Sequence, residues 1–205
     1  MIIKGTAMWA KVFEPDTRFV PEGEYSAQVI VPEAEAAEVC EQLEKLIEVE
    51  FAKAVKEKPA LKATLSKRPA AEPQLDDAGD PTGNVIFKTK LKARIKTKAG
   101  VVKEQKVFVY DAKKNLMPSS VAVGNGSVIK VAVEPYPYVM QSTKQVGVSL
   151  RLKGVQVIDL VEYGAPASSM FDEEDGYVAE AVAKDDIADS FDDADAVDAD
   201  DEGDF

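Results

Sequence analysis

Between Asn84 and Lys98 the chain reads NVIFKTKLKARIKTK, with Lys88, Lys90, Lys92, Arg94, Lys96 and Lys98 at every second position. Successive side chains of a β-strand point to opposite faces, so an extended backbone gathers all six cations on one face. A helix would scatter the same residues around its circumference. The segment therefore predicts a strand whose other face carries Phe87, Thr89, Leu91, Ala93, Ile95 and Thr97. Six like charges in register repel one another, and no core gains from them. Lysines on a solvated strand can guard against edge-to-edge aggregation. The second reading is a track for a polyanion, because same-face side chains recur every ~6.6–6.8 Å, a spacing comparable with phosphates along an extended single strand.

The flanking sequence predicts more strands and one helix. TAMWAKVF (6–13) and YSAQVIV (25–31) read as strands, separated by a loop holding Pro15, Pro21 and Gly23. Pro32 suits the first helical position, where a missing N–H costs nothing. Val39, Leu43, Leu46, Ile47, Phe51 and Val55 recur at helical spacing, and Pro59 stops the run, which predicts a helix over 33–57. Glu33 and Glu35 suit its positive end, and Glu41–Lys45 is a favourable i,i+4 pair. Cys40 lies beside the apolar stripe and reads as packing. The Pro- and Gly-punctuated stretch 59–83 reads as a long irregular connection. Ala99-Gly100 suits a hairpin turn, followed by strands over 101–110, 127–136 and 145–162. Five or six strands with a helix between the second and third predict a small closed antiparallel barrel.

The formal net charge of −12 argues against nucleic acid until it is located. Residues 172–205 hold sixteen acids and one base, whereas residues 84–153 hold fourteen bases and three acids. The acidic segment has only scattered apolar residues and cannot offset the entropy of ordering, so it is expected to be a disordered tail. It ends on Phe205, and an aromatic ring with an α-carboxylate suits a basic-rimmed apolar pocket on a partner.

Several chemistries are excluded. The chain has no His and one Cys, so it holds no Ser-His-Asp triad, no His-ligated zinc and no internal disulfide. Gly124-Asn125-Gly126-Ser127 lacks the Lys of a phosphate-binding loop and precedes a strand. No catalytic constellation, metal site or cofactor site is expected. The first twenty residues contain no signal-type apolar run, and no apolar stretch is long enough to span a membrane.

Binders of single strands combine cations with aromatics on which bases stack. Candidate cations are Lys88, Lys90, Lys92, Arg94, Lys96, Lys130, Arg151 and Lys153. Candidate platforms are Tyr110, Tyr136, Tyr138 and Trp9. Tyr136 and Tyr138 flank Pro137 and are expected to project from a loop. Phe108 and Tyr110 share a strand face that could point either way, and Trp9 suits a core position as well as a platform.

FKTKLKA, VFVYDAKKN, the Pro-Tyr segment, VSLRLKGVQVIDLVEYG and a tail closing on EGDF together resemble the single-stranded DNA-binding proteins of T7-type bacteriophages. The resemblance runs from about residue 6 to the end and is strongest over 84–163. It implies a mainly β chain: an OB-fold, a five-stranded antiparallel Greek-key barrel over 1–165 with one long helix after the second strand, then the acidic tail over 166–205. It implies sequence-independent binding of single-stranded DNA in replication, recombination and repair. It further implies a homodimer, the cytoplasm of an infected bacterial host, and Tyr136 in DNA contact. Asp200, Asp201, Glu202, Asp204 and Phe205 would contact the phage DNA polymerase and helicase-primase. A rival from another class is an acidic interaction protein, a DNA mimic or inhibitor acting through the tail. A carboxylate-metal nuclease is a third reading.

Overall fold

The structure is a computed structural model that describes residues 1–96 and 100–162. The chain divides into two units, Met1–Ala165 and Pro166–Phe205, and the architecture below is that of the first. The expected tail contacts, Asp200, Asp201, Glu202, Asp204 and Phe205, lie outside the described residues, as does Lys98.

The chain runs β1 (Ile2–Asp16), β2 (Glu24–Pro32), α1 (Glu33–Glu57), a 3-10 turn (Pro59–Ala63), β3 (Ser66–Lys67), β4 (Glu72–Leu75), β5 (Pro81–Lys92), β6 (Arg94–Lys96), β7 (Val102–Glu104), β8 (Phe108–Tyr110), β9 (Val128–Met140) and β10 (Gln145–Asp159). Five long strands close into a barrel. β1 pairs with β2, β2 with β5, β10 with β9, and β9 with β1, all antiparallel. A short parallel contact, Leu150 with Thr89 and Arg151 with Lys90, joins β10 to β5 and completes the ring. The fold is the mainly β barrel with one helix after the second strand that the sequence predicts.

Alternation explains the core. Along β5, Phe87, Thr89 and Leu91 are buried while Lys88, Lys90 and Lys92 are exposed. The one polar group on that inner face is satisfied, because the Thr89 hydroxyl donates to the Ala27 carbonyl at 2.8 Å. Val146, Leu150, Leu152, Val155 and Val157 supply the inner side of β10. α1 spans the predicted residues and buries Ala36, Leu43, Ile47 and Ala54 against the barrel. Glu41 and Lys45 pair at 2.7 Å on its exposed side. Cys40 is half-buried, and burial raises its thiol pKa first, with Glu44 and Glu33 adding to the shift. Such a thiol is a packing group and a poor nucleophile.

Five expectations need correction. The single strand expected over 101–110 is two, β7 and β8, which pair with β6 and β10 respectively. Pro32 is the helix N-cap and the last residue of β2, with an extended ψ of 136°, instead of the first helical residue. Residues 59–83 are not irregular throughout, because they hold the 3-10 turn, β3, β4 and the start of β5. The basic strand does not run unbroken to Lys98. At Ala93 the N–H donates to Gly23 and the carbonyl accepts from Gln105, which bends the chain out of the barrel. Arg94 and Lys96 thus belong to a separate two-stranded ribbon with β7. Tyr136 and Tyr138 lie within β9, opposite Ser149 and Gly147, and not on a loop. The prolines are tolerated there for a directional reason. The Val133 N–H points across to Met1, so Pro135 and Pro137 aim their missing donors to the same side, beyond Ile2, where the pairing of β1 with β9 begins.

Candidate nucleic-acid interface

An open groove of about 660 Å³ crosses the barrel where β1, β2, β5, β9 and β10 meet the segment before β4. Trp9, Tyr136 and Tyr138 line it together with Lys88, Lys90, Arg68 and Met140. Trp9 is 60% exposed and Tyr136 58% exposed, so both rings present apolar faces to water. That exposure settles Trp9 as a surface residue. Tyr138 is partly covered and lies over Gly147 in the facing strand.

The closing contact of the barrel explains how cations from distant parts of the sequence meet. Lys90 and Arg151 are register partners on neighbouring strands, both on the outer face. Arg151 extends over the Tyr136 ring, with its guanidinium carbon 5.4 Å from the ring centre. A guanidinium so placed is held by the ring's negative face and keeps donors free for an anion.

Each cation that lines the groove, Arg68, Lys88 and Lys90, also faces a carboxylate. Glu72 pairs with Lys88, and with Arg68 at 2.7 Å. Glu24 lies 3.9 Å from Lys90. Outside the groove's lining, on the neighbouring outer face of β9 and β10, Glu134 lies 3.1 Å from Lys153 and 3.7 Å from Arg151. The Lys88 hydrogen bond, followed by that of Arg68, holds the Glu72 carboxyl below its usual range, and Lys153 does the same for Glu134. Glu72 first, then Tyr138, raises Arg68. Exposed pairs of this kind contribute ~0–1 kcal/mol, so a phosphate can replace the carboxylate at small cost while the cations stay extended.

The structure separates the other sequence candidates. Lys92, at the end of β5, pairs in register with Glu24 but does not line the groove. Arg94 faces Glu104 at 3.5 Å on the ribbon, with Lys96 beside it. Tyr110 and Lys130 line a different, shallower hollow of about 300 Å³ with Ile2, Lys114 and Gly154. Val109 points inward, so Phe108 and Tyr110 occupy the outward face of β8, away from the groove. Arg68, Glu72, Glu24 and Glu134 were not among the sequence candidates. The first two lie in the Pro-rich connection, where only their i,i+4 spacing offered a signal. Among the described residues no three His, Cys, Asp or Glu converge to hold a metal, and no helix is long and apolar enough to cross a membrane.

The comparisons agree on one family. The family described as "Single-stranded DNA-binding protein, Bacteriophage T7" matches residues 5–160. The chain is 30% identical to the single-stranded DNA-binding protein of Escherichia phage T7 over 203 residues, covering 90% of this chain and 86% of the relative. The crystal structure of gp2.5, the single-stranded DNA-binding protein of bacteriophage T7, superposes with a TM-score of 0.63 at 26% identity, covering 88% of this chain and 99% of that one. A truncated single-stranded DNA-binding protein from bacteriophage Enc34 shares the fold at 10% identity, with a TM-score of 0.50 over 78% of this chain and 86% of that one.

Proposed function

Because this chain belongs to the family of the bacteriophage T7 single-stranded DNA-binding protein, we propose that its barrel binds single-stranded DNA without sequence preference, as a binder and not an enzyme. The observation that carries the reading is the convergence of Trp9, Tyr136 and Tyr138 with Lys88 and Lys90 in one groove. Bases stack on the rings, because every base has a π-face, and cations follow the backbone. Lys88, Lys90, Arg151, Lys153 and Arg68 exchange their carboxylate partners for phosphates. Lys92, Arg94 and Lys96 extend the basic surface from the end of β5 onto the ribbon. Tyr110 and Lys130 stand apart and contribute little to the same strand of DNA.

The acidic residues 166–205 act as a tail with two roles. Thirty-four residues, 172–205, reach up to ~110–120 Å when extended, enough to compete with DNA for the basic face. Asp200, Asp201, Glu202, Asp204 and Phe205 engage the phage DNA polymerase and helicase-primase during replication, recombination and repair in the cytoplasm of the infected host. A homodimer is the family's expected assembly.

A gel-shift series tests this reading, with and without residues 172–205, on single- and double-stranded DNA, with and without Mg²⁺. The expected result is a single-strand shift by both forms, tighter without the tail, most clearly at low salt where screening is weak. A tail-less body that does not bind single strands would favour the acidic interaction protein. Mg²⁺-dependent loss of the DNA would favour a nuclease.

A further inference from the structure

Trp9 stands on irregular backbone. The β1–β2 register passes from Met8 opposite Gln28 to Lys11 opposite Ser26, so β1 bulges at Trp9 and Ala10. Trp9 has φ of 53°, in the left-handed region, where a bulky side chain is seldom found. A residue there persists only when its surroundings hold it.

One side chain does so. The Trp9 N–H donates to Asn125 Oδ1 at 2.7 Å. Asn125 belongs to the Gly124–Ser127 loop, whose sequence resembles a phosphate-binding loop but lacks the Lys. That loop is itself tied down. The Gly126 N–H donates to the Ala7 carbonyl at 3.0 Å, and the Ala7 N–H donates to the Ser127 carbonyl at 2.8 Å. The buried Ser127 hydroxyl donates to the Gly124 carbonyl at 2.8 Å and accepts the Val161 N–H at 3.0 Å. The loop is thus a fixed support, and Asn125 is its one arm to the bulge. Trp9 forms a wall shared by the main groove and a second hollow of about 590 Å³ that Asn125 also lines.

We propose that Asn125 is the positioning residue for Trp9. Its amide oxygen fixes the bulge so that the indole stands out at the end of the groove as a platform for a base. A neutral amide supplies this acceptor without adding a carboxylate beside a phosphate track. The inference rests on the reading of the groove as a single-strand site.

Trp9 is the chain's one tryptophan, so its emission reports on the proposal directly. In the full chain, Asn125→Ala is expected to weaken binding of labelled oligo-dT about as much as Trp9→Ala, roughly five- to tenfold, and to reduce the emission quench at saturation. In a Trp9→Ala background Asn125→Ala should add nothing. Asn125→Asp, which keeps an oxygen acceptor, should restore the quench at saturation. Acrylamide quenching of the free chain gives a test that needs no DNA, and Asn125→Ala should change the accessibility of Trp9. Unchanged accessibility overturns the proposal, whatever DNA does. So does an equal loss of affinity in the Trp9→Ala background. Failure of the unaltered chain to bind oligo-dT would instead refute the reading of the groove.

Discussion

Tyr138 lies across Gly147 on the facing strand, so close that a Cβ on Gly147 would stand 2.7 Å from the phenol oxygen and 2.9 Å from its ring carbon. The absent side chain is what lets the ring settle against β10 at the groove. Gly147→Ala is expected to push Tyr138 off its bed. The cost in stability should be ~1–3 kcal/mol, as for other overpacking changes, and DNA affinity should fall. A urea melt and a fluorescence titration measure the two effects. In a Tyr138→Ala background the same substitution should cost little of either.

Glu72 occupies Lys88 and Arg68 at once. Glu72→Gln keeps the shape and removes the charge, so both cations become available to phosphate. Single-strand affinity at low salt should rise by up to about fivefold, the range of an exposed ion pair. A drop in affinity would mean that Glu72 orders the groove more than it competes there.

Stacking and phosphate contact leave different traces in salt. Tyr136→Ala should lose ~1–3 kcal/mol of binding with little change in the slope of log K against log salt. Tyr136→Phe should retain most of it, because the ring is what Arg151 and a base would touch. Lys90→Ala should lose less at moderate salt but flatten the slope by ~0.7, the value for one phosphate contact on a single strand. Titrations at several salt concentrations separate the two.

Acid acts on the Asp16–Arg18 pair in a defined window. Hydrogen bonds from the Arg18 side chain and backbone lower the Asp16 pKa from 3.8 to about 2. Because the folded value lies below the unfolded one, the stabilisation is complete above the unfolded value and is lost as pH falls through the folded value. A carboxyl NMR titration should give an Asp16 midpoint near 2, and Arg18→Ala should return it toward 3.8.

Local patterns were legible where local physics dominates. α1 appears over the residues that its apolar period, acidic first turn and terminal proline predict, because helix hydrogen bonds close within the segment. The inward and outward faces of β5 follow its alternation for the same reason, whereas a bulge between Leu152 and Gly154 shifts the buried set of β10 from even to odd positions. The break at Ala93 was not legible, since its backbone partners, Gly23 and Gln105, come from elsewhere in the chain. Nor was the strand conformation of Tyr136 and Tyr138, because whether a proline breaks a ladder depends on which neighbour lies on its N–H side.

The sequence by itself determined a mainly β chain with one helix, a body of opposite charge to its acidic segment, and a strand with one cationic face. Those properties follow from composition and period alone. Only the tertiary structure decided which residues share the groove. The closing contact of β5 with β10 brings Lys90 beside Arg151, and the barrel's curvature sets Trp9 near Tyr136 and Tyr138 while leaving Tyr110 and Lys130 at another hollow. Pairing between distant strands has no local signature, because it is selected by how their buried faces pack and not by the residues that come to lie on the outer face.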